Sequence, residues 1–226
     1  MKRIYIKNPQ AESVILDEKQ EHYLRVVLRL LSGDQIEILS EDELLTAELI
    51  EVSKRKVSTA IISRRPLIKP AYNFTVHQCL LKREYMDTVV EKYSELGVTR
   101  IVPVISERSL PSLKEGTIRR FGEIAVNAAL QSRQEFVPEI AVATPISSIQ
   151  SESTDKLLFY ECADRGLPMG LSSDVDIIIG PEGGFTESEV NSLVNKGYTV
   201  CSPFSSILKA ETAAVVFAGW VRIVMG

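Results

Sequence analysis

Two short stretches hold residues whose types and spacing could do chemistry. The first is Gly180-Pro-Glu-Gly-Gly-Phe185, which follows an apolar run over 175–179. Its glycines let the backbone turn sharply and approach a ligand without interference from a Cβ atom. A side chain at Gly183 is therefore expected to fill space that a ligand needs. The loop lacks the Gly-Lys-Ser/Thr of a phosphate-cradling P-loop, and it does not match the Gly-x-Gly-x-x-Gly dinucleotide fingerprint. Glu182 would repel a polyphosphate, whereas it suits ribose hydroxyls, an amino group or a cationic ligand. The second stretch places Lys209, Glu211 and Thr212 at the mouth of an apolar run over 214–224. Polar groups in such a place are costly unless they are paired or used. The plainer alternatives are a tight strand-to-helix turn for the first stretch and complementation of a helix N-terminus for the second.

The elements around these residues are legible from periodicity. Residues 175–179 are mostly β-branched, as in a buried strand, and Thr186-Glu-Ser-Glu189 is a capping box that should start a helix. A strand feeding a glycine loop at a helix N-terminus is where open α/β sheets bind ligands. From residue 74 onward the pattern predicts strands over 74–81, 100–105, 156–160, 175–179 and 199–202. Helices are predicted between them over 84–96, 115–132 and 187–196, and the run 214–224, apolar almost all round, reads as a buried terminal helix. Alternating strands and helices imply an α/β domain with a parallel sheet and helices on both faces.

Residues 1–68 read differently. Strands are expected over 3–6, 13–16, 35–39, 44–52 and 56–62, with a turn at Ser32-Gly-Asp34. One helix over 18–30 interrupts them and would set His22, Arg25 and Arg29 at near-helical spacing. Such a set of short strands with one helix should close into a small β-barrel. Pro66 and Pro70 stiffen the linker that follows, so the expected domains are 1–68 and 69–226.

The two loops resemble the signature segments of the SPOUT methyltransferases, and in particular those of the RsmE family, which methylates N3 of a uridine in 16S rRNA. The resemblance rests on Ile179 through Phe185, on Pro203 through Ala213, on Glu91-Lys-Tyr-Ser-Glu-Leu-Gly-Val-Thr-Arg100 with the residues after it, and on Asn127-Ala-Ala-Leu-Gln-Ser132 with Val137-Pro-Glu-Ile140. A weaker stretch is His22-Tyr-Leu-Arg-Val-Val-Leu-Arg29 followed by Gly33-Asp34. The chain departs from the family pattern in carrying Ser206, Lys209 and Gln134 where arginines are usual, and Pro203-Phe204 in place of Leu-Gly. Lysine keeps the charge of arginine but loses its planar fork.

The resemblance implies a PUA-like RNA-binding barrel followed by an α/β SPOUT domain with a C-terminal trefoil knot, acting as a homodimer. It implies S-adenosyl-L-methionine as cofactor, with no metal, and 16S rRNA of the small ribosomal subunit as substrate. The residues expected around the cofactor are Tyr160, Glu161, Gly180, Pro181, Glu182, Gly183 and Gly184, together with Phe204, Ser206, Ile207, Leu208, Thr212 and Ala213. Glu182 and Glu211 are the candidate bases for the uracil N3 proton, and Arg133 is a candidate for steadying the deprotonated base. Arg25, Arg29, Lys54, Arg55, Lys56 and Lys209 are expected to face RNA. Two alternatives stay open: a SPOUT enzyme acting on tRNA or another rRNA site, and a non-catalytic RNA-binding assembly factor.

Composition bounds these readings. With 45% hydrophobic and 25% charged residues the chain is an ordinary soluble globular protein. Its net charge of −4 by itself argues against a general nucleic-acid binder. Up to residue 70 there are 12 Lys and Arg against 11 Asp and Glu, so RNA contact must rest on confined basic patches. Three lone cysteines without metal-type spacing, and a beginning that enters strand alternation at once, point to a cytoplasmic protein without a membrane span.

Overall fold

The computed structural model describes residues 1–10, 12–54, 56–161, 166–202 and 206–225, which form two compact units. The first unit comprises residues 1–69 and also 130–136. Its strands are β1 (Lys2–Tyr5), β2 (Gln35–Leu39), β3 (Glu43–Val52) and β4 (Val57–Pro66), in the order β1-β2-β3-β4. β1 lies parallel to β2, and the other pairs are antiparallel. Alternation along β2 and β3 turns Ile36, Ile38, Leu45, Ala47 and Leu49 into one apolar cluster with Ile4 and Leu24.

Three expectations for this unit need correction. Residues 13–16 form no strand. Val14 N–H donates to Thr59 Oγ1 at 3.1 Å instead of entering a ladder. The helix expected over 18–30 is α-helical only as α1 (Glu18–His22), started by an Asp17–Gln20 capping box. It then widens into a π-helical turn over Tyr23–Val27, and Arg29 lies beyond it in the left-handed region at φ 54°. His22, Arg25 and Arg29 therefore do not share one regular helix face. Finally, residues 130–136 group with the first unit, because Arg3 Nη1 donates to the Gln134 carbonyl at 3.0 Å and Arg65 to Glu135 at 2.8 Å.

The second unit comprises residues 70–129 and 137–226. It contains β5 (Asn73–Cys79), α2 (Arg83–Glu95), β6 (Arg100–Ile105), α3 (Thr117–Ser132, whose last three residues group with the first unit), β7 (Glu139–Ile140) and β8 (Thr144–Pro145). After these come β9 (Asp155–Phe159), β10 (Asp174–Ile179), α4 (Glu187–Asn195), β11 (Thr199–Cys201) and α5 (Ala210–Met225). All its strand pairs are parallel, in the order β11-β9-β10-β5-β6-β7, with β8 also against β6. β7 and β8 escape sequence periodicity because each is two residues long.

The sheet is covered on both faces. Phe74, Val76, Leu157, Phe159, Val175, Ile177 and Ile179 point one way, against Val89, Val90 and Tyr93 of α2, Phe121 of α3 and Phe217 and Val221 of α5. Cys79, Val102, Val104, Leu158 and Ile178 point the other way, with Leu193 of α4 and Tyr198. Truncating a fully buried ring such as Phe74 or Phe121 to alanine would cost about 3–5 kcal/mol. Buried polar groups find partners on neighbouring elements: Tyr93 O–H of α2 donates to Gln78 Oε1 of β5 at 2.6 Å, and His77 Nε2 of β5 lies 3.0 Å from Asp176 Oδ2 of β10. α5 is less enclosed than its composition implies. It buries Ala214, Phe217, Ala218 and Val221 but leaves Val216 38% and Ile223 81% exposed. No described helix is long and apolar enough to cross a membrane.

Candidate cofactor-binding site

A cavity of about 440 Å³ opens at the C-terminal ends of β5, β9, β10 and β11. In a parallel sheet this edge gathers loops and helix N-termini, and ligands of open α/β sheets collect there. β9 delivers Phe159, Tyr160 and Glu161, while β10 delivers Ile179 and the loop from Gly180. Ser202 follows β11, and Ser206 to Ala210 lead into α5, whose first turns add Glu211, Ala213 and Phe217. Lys82 and Tyr85 come from the junction of β5 and α2.

The glycine loop is held from three sides. Gly184 N–H donates to the Pro181 carbonyl at 3.0 Å, closing a turn whose last residue, Gly184, takes the left-handed φ of +69° as the chain leaves it. Lys82 N–H donates to Glu182 Oε1 at 3.2 Å, so the Glu182 carboxylate is tied to the start of α2. Arg108 Nη1 donates to the Gly183 carbonyl at 3.2 Å. The Thr186 capping box starts α4, and its Glu189 also accepts from Glu107 N–H at 2.8 Å, clamping the chain after β6 to the same corner. Glycine is favoured here for two reasons: a Cβ on Gly180 would sit 2.9 Å from the Phe185 ring, and Gly184 takes a φ of +69° that side chains rarely adopt.

Most residues expected around a cofactor meet here: Tyr160, Glu161, Gly180, Pro181, Glu182 and Gly184 on one side, and Ser206, Ile207, Leu208 and Ala213 on the other. Glu211 and Lys209, expected as a base and an RNA contact, line the same cavity. Two of the expected residues do not line the cavity. Gly183 does not line the cavity, and a Cβ there would meet Arg108 Cβ at 3.0 Å, so a side chain would strike the loop after β6 instead of the ligand space. Thr212 also stands outside the lining: α5 already begins at Ala210, so Thr212 lies within its first turn next to the lining residues Glu211 and Ala213. Phe204 and Arg55 lie outside the described residues, as does Cys162.

Arg133 is placed elsewhere. It belongs to the first unit, adopts φ 59°, and donates to Glu37 at 3.3 Å and to the Met1 carbonyl at 3.1 Å. Conversely, sequence patterns did not single out Lys82, Tyr85 or Ser202 for this site. The available signal was their position just after a strand of a parallel sheet, the edge where ligands gather.

The electrostatics favour a cationic ligand. Glu161, Glu182 and Glu211 outnumber Lys82 and Lys209 around the cavity, while Ile179, Ile207, Leu208 and the stacked rings of Phe159 and Phe217, 3.8 Å apart, supply an apolar surface. A small molecule with an aromatic base, a ribose and a net positive end fits such a lining, and S-adenosylmethionine is of that kind. Covalent catalysis by the described thiols is excluded, since burial pushes both Cys79 and Cys201 up to about 12 and keeps them protonated at neutral pH. Neither histidine lines the cavity, and among the described residues no cluster of His, Cys, Asp or Glu could hold a metal ion.

Comparison with known proteins agrees with this chemistry. The chain is 29% identical over 228 residues to ribosomal RNA small subunit methyltransferase E of Bacillus subtilis, covering 90% of this chain and 87% of that one. It is 28% identical over 235 residues to the protein of the same name from Rickettsia conorii, covering 98% and 95%. Among solved structures, ribosomal RNA small subunit methyltransferase E of Neisseria gonorrhoeae bound to S-adenosyl methionine superposes with a TM-score of 0.87 at 27% identity, covering 99% of this chain and 97% of that one. A Legionella pneumophila methyltransferase in complex with S-adenosylmethionine gives 0.86 at 25% identity, covering 98% and 96%. The profile of the RNA methyltransferase domain matches residues 69–222, which include every lining residue of the cavity, and the chain therefore belongs to the RNA methyltransferase domain family.

Proposed function

We propose that this protein methylates N3 of a specific uridine in 16S rRNA, with S-adenosylmethionine as methyl donor. The observation that carries the reading is the carboxylate-rimmed cavity beside the glycine loop, within a chain whose relatives over almost its whole length are named for small-subunit ribosomal RNA methylation. The cofactor supplies a methyl group already activated on a sulfonium. The work left to the chain is to hold it, align the acceptor nitrogen and take up the N3 proton. Gly180 to Glu182, Gly184, Ile207 and Leu208 are the residues proposed to hold the cofactor. Glu182, tethered to Lys82 N–H, and Glu211, in the first turn of α5, are the carboxylates proposed for proton uptake.

The wider architecture follows the same reading. The four-stranded unit is proposed to be a PUA-like barrel that positions rRNA, and the parallel-sheet unit a SPOUT domain with its chain knotted near the C-terminus. The exposed Val216 and Ile223 on α5 support a homodimer that buries them, and a ribosomal substrate supports a cytoplasmic location. Mass spectrometry of 16S rRNA nucleosides from strains with and without the gene should show 3-methyluridine only where the gene is present. An unchanged nucleoside profile would overturn the substrate. In parallel, light scattering should give twice the chain mass at micromolar concentration.

A further inference from the structure

The first turn of α2 has two sides. Lys82 and Tyr85 line the cavity described above, whereas Arg83 and Met86 line a second cavity of about 580 Å³ within the same unit. Its floor is Leu81, Met86 and Phe121, none more than 1% exposed. One wall is the segment Leu110-Pro-Ser-Leu113, with the Leu110 side chain 41% exposed. Arg83, Lys114, Arg119 and Arg120 stand along its rim, against the acids Glu115 and Glu123. Arg120 is paired with Asp87, and Arg119 lies 3.9 Å from Glu123. Arg83 and Lys114 take part in no ion pair among the described residues. A cavity with a dry apolar floor and two uncommitted cations, on a chain of net charge −4, is a local departure that an anion with a flat apolar part would complete.

Both cavities lie along one edge of the sheet, since Leu81 follows β5 and the segment 106–116 follows β6. We propose that the second cavity seats a nucleotide adjoining the methylated one in the same RNA strand. Its base lies over the exposed Leu110, and its phosphate is held by Arg83 and Lys114. Single-stranded nucleotides are gripped in this way, by an apolar or aromatic platform beside a positive groove. The assignment rests on the reading of the chain as an RNA methyltransferase and names how that enzyme holds the strand next to its target. Because Arg83 and Lys114 line only the second cavity, loss of their charge should act on RNA and not on the cofactor.

The test compares the full chain with Arg83→Ala/Lys114→Ala, using a fluorescein-labelled single-stranded RNA of mixed sequence for anisotropy and S-adenosylhomocysteine for calorimetry. The double variant should bind the RNA about tenfold more weakly, with the slope of log affinity against log salt reduced by ~0.7 per lost phosphate contact. Its affinity for S-adenosylhomocysteine should stay within about twofold of wild type, as expected when a contact outside the cofactor cavity is lost. Unchanged RNA affinity and salt slope would overturn the proposal. If the double variant does not fold, Lys114→Gln alone decides by the same slope, since Lys114 is an exposed loop residue. Should the wild type leave 16S rRNA unmethylated while RNA affinity still depends on Arg83 and Lys114, the proposed reaction falls and the second site stands. Methylation by the wild type, with RNA affinity indifferent to both residues, sinks the site alone.

Discussion

Two regions of the molecule, the strands of the first unit and the cavity of the second, treat their charges in opposite ways. In the first, four arginines are consumed by the chain itself: Arg3 bonds Glu37 at 3.1 Å, Arg64 bonds Glu43 at 2.8 Å, Arg65 bonds Glu135, and Arg25 donates to the Ser53 carbonyl at 2.8 Å. In the second, Glu161, Glu182, Glu211, Lys82 and Lys209 surround a cavity without forming an ion pair among the described residues. Charges satisfied by their own chain locate loops, whereas charges left around a hollow are available to a ligand. A basic residue in the sequence belongs to either class, and only the neighbours brought by folding tell which.

The largest effect should come from the glycine loop. Gly184→Val places a β-branched residue at φ +69°, a strain of about 1–3 kcal/mol, and drives its Cβ to 3.0 Å from Glu161 Oε1. The free loop relieves that strain by leaving the binding conformation, so calorimetry should show affinity for S-adenosylmethionine lowered by roughly 5- to 150-fold. Gly183→Val should disturb the cofactor less, because its Cβ meets Arg108 instead of the cavity. Equal binding by Gly184→Val and wild type would remove the glycine loop from the cofactor site.

A smaller effect separates Arg25 from Arg29. Arg29 is exposed and unpaired among the described residues, so Arg29→Ala should weaken rRNA binding a few-fold and lower its salt slope by ~0.9 if it meets one phosphate of a duplex. Arg25 is bonded to the turn at Ser53, so Arg25→Ala should instead lower unfolding stability by about 1 kcal/mol. Identical RNA-binding defects from both variants would break the distinction between consumed and available cations.

The smallest effect is a pH dependence. Hydrogen bonds from Arg65 hold the Glu135 carboxyl at about 2, below its ordinary 4.5. A carboxyl lowered on folding stabilises the protein above pH 4.5 and loses that contribution as pH falls toward 2. Since the pair is partly solvent-exposed, the contribution should stay under about 1 kcal/mol. Urea unfolding of Glu135→Gln at pH 7 and pH 3 should show a smaller loss of stability between the two than wild type. An equal loss would mean that Arg65 and Glu135 are merely adjacent.

Local signals made much of this molecule legible. β2 and β6 run over the predicted residues, and the Thr186 capping box and the helix after it stand where the Thr-x-x-Glu spacing puts them, because alternation and capping act within a few residues. The glycine loop was visible for the same reason: its backbone geometry is written in its own glycines. What local patterns could not show were the two-residue strands β7 and β8, the π-helical turn after His22, and the separation of Gly183 from the cavity that its neighbours Glu182 and Gly184 line.

The sequence by itself determined the α/β alternation, the strand-loop-helix corner at Gly180 and the exclusion of phosphate-cradling loops, because each depends on residues adjacent in the chain. Tertiary structure alone decided which charges are free. Lys82 and Glu182 are joined across 100 residues only because parallel strands β5 and β10 are neighbours in the sheet and end at the same edge. Arg133 is drawn to Glu37 and Met1 because its segment packs with the first unit. Long-range electrostatic partners are a consequence of topology, and topology is set by how the apolar faces of all the elements are buried together.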